Sequence, residues 1–199
     1  ISVLNAFFCV VFLCLLALII LLQFNLLTIV LGASSMLLAF AYPFMKRFTY
    51  WPQLFLGLTF NWGIIMGWTS ITNNMSIEPF ILYIAAIFWT LGYDTIYGIQ
   101  DLQDDQIIGV KSTSIKFKNN IKLFVAICYS LCILFILALC FFMKINIYLL
   151  LLSLIFITTL IYQVKIFKID NPNTCLSAFK INNFTGGFIF LFITSFVVS

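Results

Sequence analysis

Apolar residues run almost without a break from Val10 to Leu22 and from Leu123 to Met143, and neither stretch alternates with period two. Continuous runs of about 20 residues suit a bilayer crossed as helices, whereas barrel strands alternate over about 10 residues. The pattern predicts an all-α fold, a polytopic transmembrane helix bundle. Its seven expected spans cover 3–22, 26–42, 53–70, 79–97, 121–143, 146–164 and 184–198. Polar breaks separate them at Gln23–Asn25, Tyr42–Pro52, Thr72–Pro79, Gly98–Asn120, Lys144–Asn146 and Lys165–Asn183. With no internal repeat or low-complexity linker, residues 1–199 read as one transmembrane domain.

Composition agrees. Of the 199 residues 64% are hydrophobic and 8% charged, against about 25% charged in soluble domains. A soluble enzyme is excluded, and so is disorder, which needs few apolar residues and many charges. Nine of the ten basic residues fall in alternate loops: Lys46 and Arg47; Lys111, Lys116, Lys118 and Lys122; Lys165, Lys168 and Lys180. Lys144 alone falls on the other side. By the positive-inside rule those three loops are cytoplasmic, which puts residue 1 in the cytoplasm and Ser199 outside. The expected location is a bacterial inner membrane, with the mitochondrial inner membrane second. The chain starts on Ile1 rather than Met, so a truncated record is expected. Six cysteines without a CxxC pair read as apolar fillers, and the absence of histidine removes zinc and His-dependent triads.

Four of the six acidic residues, Asp94, Asp101, Asp104 and Asp105, lie within twelve positions at the cytoplasmic edge of one span. On an uninterrupted helix these four and Tyr97 share an arc of about 100°, and the carboxylates form a column about 16 Å long. Gly98 is the position at which such a helix could end or bend. Stacked carboxylates repel unless a cation lies between them. Oxygen donors without His or Cys favour a hard ion, and Mg²⁺ uses one or two carboxylates together with phosphate oxygens. Such a metal would recruit a diphosphate, with Lys111 the best-placed cation to neutralise it. A blander reading stands beside this one: Asp94 ends a span, and Asp104 and Asp105 form a solvated loop surface. Lys116, Lys118 and Lys122 are better explained by topology, which also accounts for Lys46 and Arg47.

The pattern Asp94-x-x-Tyr97-x-x-x-Asp101-x-x-x-Asp105, followed by Ile108-Gly109-Val110-Lys111-Ser112-Thr113, resembles the second aspartate motif of the UbiA superfamily of intramembrane prenyltransferases. The nearest likeness within it is to the 4-hydroxybenzoate polyprenyltransferases. Tyr42–Thr49 with Pro52-Gln53 and Leu56-Gly57, and Cys175–Asn183 with Gly186, resemble two further stretches of that subfamily. The resemblance implies nine spans, of which the seven here correspond to spans three to nine, the C-terminal two-thirds of the fold. The family's first aspartate motif has no counterpart, because residues 1–93 contain no Asp. On that ground the 199 residues alone are expected to be inactive.

The activity implied is Mg²⁺-dependent transfer of a polyprenyl group from its diphosphate to the ring of 4-hydroxybenzoate, ortho to the hydroxyl, in ubiquinone biosynthesis. The resemblance carries over Asp101 and Asp105 as Mg²⁺ ligands, Asp94 as a further ligand or its orienter, and Lys111 as a diphosphate contact. Tyr97, Asp104, Lys46 and Arg47 are the candidate substrate-binding residues. The expected partners are polyprenyl diphosphate, 4-hydroxybenzoate and membrane lipid, with no nucleic acid. Three alternatives remain open: a UbiA-type enzyme with another acceptor, an inactive remnant, and a cation transporter. The transporter would need carboxylates facing one another from several spans, whereas this cluster comes from one segment.

Overall fold

The computed structural model describes residues 2–143 and 147–198. The chain folds into helices in the order α1 (Val3–Leu21), α2 (Leu26–Ala41), a 3-10 turn (Tyr42–Phe44), α3 (Met45–Phe48), α4 (Pro52–Phe60), α5 (Gly63–Thr72) and α6 (Ile77–Tyr97). There follow α7 (Leu102–Ile108), α8 (Thr113–Lys116), α9 (Ile121–Phe142), α10 (Ile147–Ile166), α11 (Pro172–Lys180) and α12 (Asn182–Val198). Among the described residues, six stretches are long and apolar enough to cross a membrane: Val3–Leu21, Leu26–Phe48, Pro52–Thr72, Ile77–Tyr97, Ile121–Phe142 and Pro172–Thr194. The remaining expected span coincides with α10, where the described apolar stretch is Ser153–Ile166. Lys144 and Asn146 lie outside the described residues, as do Ile1 and Ser199.

Two expected spans are jointed rather than straight. The third is α4 and α5, which part at Asn61 and Trp62. There the Asn61 amide donates to its own helix at Gly57 O (2.9 Å) and across to Thr90 Oγ1 (2.8 Å). A side chain that satisfies a local carbonyl while holding a neighbouring helix is a ready place for a bend. The last span begins earlier than expected, as α11, and turns at Ile181 into α12.

Helix α6 is the centre of the bundle. Its buried positions include Ile81, Tyr83, Ala85, Ile87, Leu91, Gly92, Thr95 and Ile96, and it packs chiefly on α9, then on α4. Gly92 makes the α6–α9 approach possible, since a Cβ there would run into the Tyr129 ring. Small residues at a crossing let backbones close up where lipid supplies no hydrophobic drive between helices. α1, by contrast, buries no residue within the chain, as suits a helix facing lipid.

The three lysine-bearing loops gather at one end of the bundle. Lys111 N–H donates to Lys46 O at 2.8 Å, which joins the second loop to the fourth. Phe179 in α11 lies against Tyr97 with ring centroids 4.7 Å apart, which brings in the sixth. An aromatic and cationic cluster forms at this end: Phe117 and Phe124 stack at 4.0 Å, and Lys116 Nζ sits 4.4 Å over the Trp51 ring. Trp and Lys so arranged suit the border between hydrocarbon and headgroups.

Candidate active site

The carboxylates do not form the single column expected of an uninterrupted helix. α6 ends at Tyr97, and Gly98–Asp101 make a turn before α7 starts at Leu102. Asp94 stays on the last full turn of α6, and Asp101 becomes the residue before α7. Asp104 and Asp105 sit in the first turn of α7, where negative charge suits the helix N-terminus. Asp105 is turned inward and buried, while Asp101 and Asp104 are exposed.

Gly98 owes its place to the Lys111–Ser114 segment. A Cβ at residue 98 would lie 2.7 Å from Ser114 Oγ and 3.4 Å from Gln53 Nε2. The turn closes through Gly98 N–H to Asp94 O, Ile99 N–H to Ile96 O and Gln100 N–H to Tyr97 O, passing over the carbonyl of Thr95. Ser114 Oγ donates to that carbonyl at 2.8 Å, satisfying one of the acceptors that a helix end leaves over. Thr95 Oγ1 also lies 2.7 Å from Thr113 Oγ1, and Thr113 N–H donates to Gln53 Oε1 at 3.0 Å. Ser112, Thr113 and Ser114 are all fully buried. This network fastens the segment after Lys111 to the end of α6 and the start of α4.

Lys46 is the cation among the carboxylates. Its Nζ lies 3.6 Å from Asp105 Oδ2, and Asp94 interacts with the charges of both Lys46 and Asp101. Arg47 is exposed in the last turn of α3. Lys111 points to the second loop instead of the carboxylates: its Nζ donates to Phe48 O at 3.3 Å and lies 5.5 Å over the Tyr50 ring. Tyr97 is 40% exposed and shares the Phe179 ring with Tyr93, whose centroid is 5.8 Å from it. Among the described residues, no three His, Cys, Asp or Glu side chains converge as a set of metal ligands. Lys46 and Asp105 are therefore in contact and Asp94 lies within electrostatic reach of Lys46 and Asp101, whereas Asp104 and Arg47 are exposed and Lys111 turns to the second loop.

Sequence reasoning assigned no role to Gln53, Thr95 or Ser114. The available signal was a Gln in the first turn of an apolar span, directly after Pro52. Nor did it find a role for Asn182, which lies in a buried group of polar side chains. Tyr129 OH donates to Gln163 Oε1 at 2.5 Å, and Gln163 Nε2 donates to Asn182 Oδ1 at 3.1 Å and Thr185 Oγ1 at 3.2 Å.

An apolar cavity of about 700 Å³ opens toward the far end of α6, lined in part by Gly63, Gly67, Trp68, Leu82, Leu139 and Phe190. Leu82 precedes Asp94 by twelve helical residues, a rise of about 18 Å. The bundle thus joins a polar mouth at one end to an apolar hollow at the other.

Residues 1–192 match the UbiA prenyltransferase family. The chain belongs to that family. Among solved structures, the apo structure of a UbiA homolog from Aeropyrum pernix K1 superposes with a TM-score of 0.79 at 17% identity, covering 96% of this chain and 73% of that one. That likeness concerns the fold of this UbiA-family chain. Its sequence is similar to proteins named 4-hydroxybenzoate polyprenyltransferase, mitochondrial. The Arabidopsis thaliana protein is 58% identical over 107 residues, 52% of this chain and 26% of that protein. The Homo sapiens protein is 53% identical over 110 residues, 54% and 29% of the two chains. The matched segment thus spans between a quarter and a third of those relatives. This UbiA-family chain is a multi-pass membrane protein. Its relatives' mitochondrial names run against the bacterial inner membrane expected from sequence.

Proposed function

We propose that this chain carries part of the active site of a polyprenyltransferase that uses 4-hydroxybenzoate in ubiquinone biosynthesis. The observation that carries the reading is the polar mouth, where Lys46 pairs with the buried Asp105 within electrostatic reach of Asp94, joined along α6 to an apolar hollow at the other end of the bundle. The names of the relatives supply the acceptor. They also make a mitochondrial membrane the first compartment to test.

The donor set suits a hard cation, since it consists of carboxylates without thiol or imidazole, and Asp105 is buried with a lysine as its only ion-pair partner among the described residues. Asp101 and Asp105 are the residues that would hold Mg²⁺, with Asp94 as a third oxygen donor or as the group that orients one. When bound, Mg²⁺ supplies charge stabilisation to the departing diphosphate. The chain's own residues do the rest. Lys46 offers its ammonium group to the diphosphate oxygens, Lys111 adds a second on leaving Phe48 O, and Tyr97 offers a hydroxyl. The helices exclude water while the allylic C–O bond breaks, and the isoprenoid tail lies along α6 toward the apolar cavity. The ring carbon ortho to the acceptor's hydroxyl then forms the new C–C bond and loses its proton. The products are prenylated 4-hydroxybenzoate, diphosphate and a proton.

The test is an assay of the purified full-length protein with a polyprenyl diphosphate, several aromatic acceptors, and Mg²⁺ or EDTA. Transfer to 4-hydroxybenzoate that stops with EDTA is expected. Asp101→Asn and Asp105→Asn should each reduce it by about 10² or more while leaving membrane insertion intact. Retained activity in either variant would remove that residue from metal binding.

A further inference from the structure

The buried polar group ends on the candidate site. Asn182 opens α12 just after the turn at Ile181, and its side chain meets three elements. Its Oδ1 accepts from Trp89 Nε1 of α6 at 2.9 Å and from Gln163 Nε2 of α10 at 3.1 Å. Its Nδ2 donates to Phe179 O, in the last turn of α11, at 2.9 Å. Gln163 in turn holds Tyr129 of α9 and Thr185 of α12, and Thr185 Oγ1 donates to Thr159 at 3.0 Å. Gln163 and Thr185 are fully buried and Tyr129 is nearly so. Polar side chains inside a span are retained where every one is paired.

The bond to Phe179 O couples this group to chemistry. It fixes the last turn of α11, and the Phe179 ring lies 4.7 Å from Tyr97 and 5.8 Å from Tyr93. Trp89 completes the circuit, with its ring 5.6 Å from Tyr93 and its N–H on Asn182. Tyr97 ends α6 three residues after Asp94 and four before Asp101, which follows across the turn. We propose that Asn182 is a positioning residue: by pinning the α11–α12 turn it seats Phe179 as the wall that orients Tyr97 toward the diphosphate. The inference rests on the prenyl-diphosphate reading above. Asn182 acts through Phe179 and touches no reacting atom.

Two variants separate the wall from the polar group. Asn182→Asp keeps an acceptor for Trp89 and Gln163 but loses the donor to Phe179 O. Phe179→Leu leaves every bond of the group in place and removes only the ring, so it keeps the test sound if Asn182→Asp does not fold. In the full-length protein, each is expected to raise KM for the polyprenyl diphosphate about tenfold or more, with KM for the acceptor unchanged. The double variant should be no worse than the stronger single one, because both act through one contact. Phe179→Tyr, which keeps a ring, should restore the KM. An unchanged diphosphate KM in Phe179→Leu, or multiplied effects in the double variant, overturns the proposal.

A second readout is independent of the acceptor. Pyrophosphate with Mg²⁺ should raise the melting temperature of the wild type in detergent, and that shift should shrink in both variants. If no acceptor is prenylated while this pattern holds, the reaction assignment fails and the positioning role stands. A wild type that pyrophosphate does not stabilise overturns the role of Tyr97 and with it the proposal.

Discussion

Replacing Gly98 by alanine tests the seam that holds the lysine segment against the aspartates. Gly98 has φ −65° and ψ −6°, values that alanine adopts without strain. The backbone therefore favours the change, by about 0.5–1 kcal/mol from reduced freedom of the unfolded chain. The new Cβ would lie 2.7 Å from Ser114 Oγ, so the hydroxyl must move and its 2.8 Å bond to Thr95 O is lost. Leaving a buried carbonyl without that donor costs about 1–3 kcal/mol. The net loss is roughly 0–2.5 kcal/mol, a drop in Tm of up to about 10 °C at 2–4 °C per kcal/mol for a chain of this length. Activity should fall further than stability. The shift displaces Ser112–Ser114, and a misplacement of about 1 Å near a reacting centre can cost about 10²-fold. The assay is prenyl transfer at saturating substrate beside a melting curve in detergent. Gly98→Ala/Ser114→Ala, which removes the colliding oxygen, should recover part of the rate. A Gly98→Ala protein with wild-type turnover would refute the claim that this close approach positions the site.

Three other outcomes are expected. Lys46→Met should leave Tm nearly unchanged, since the Lys46 side chain is 46% exposed and such ion pairs are worth about 0–1 kcal/mol; diphosphate use should nonetheless fall about tenfold or more, read as KM in steady-state kinetics. Tyr129→Phe removes the donor to Gln163 Oε1 and should cost about 1 kcal/mol, measured as a Tm lower by about 2–4 °C, with KM values preserved. Gly67→Phe fills the apolar cavity at a position where a Cβ meets nothing within 4 Å, so the protein should fold and prefer shorter isoprenoid diphosphates when given a mixture. Unchanged length preference would show that the tail takes another route.

The spans were legible because length and continuity of apolar runs are set by the bilayer itself. The loops were legible because lysine marks one side, and the pairing of Lys111 N–H with Lys46 O agrees with that grouping. The aspartates were visible as a cluster, but their geometry was not. Whether α6 ran on through Gly98 depended on Ser114, sixteen residues away, which no helical period includes. Gln53 and Asn182 show no task in the sequence for the same reason. Their partners, Thr113 for one and Trp89 and Gln163 for the other, come from distant helices.

The placement of Gln163 bears on how such an oily chain finds one arrangement. Faces built of Leu, Ile and Phe pack about equally well after a helix slides or rotates, so shape alone discriminates poorly between registers. The Gln163 carboxamide reaches Tyr129 on α9 and both Asn182 and Thr185 on α12. A slip of α10 by one turn, about 5.4 Å, would strand it among hydrocarbon. One amide thereby proofreads the assembly of three helices, a check on fidelity that the apolar faces themselves do not supply.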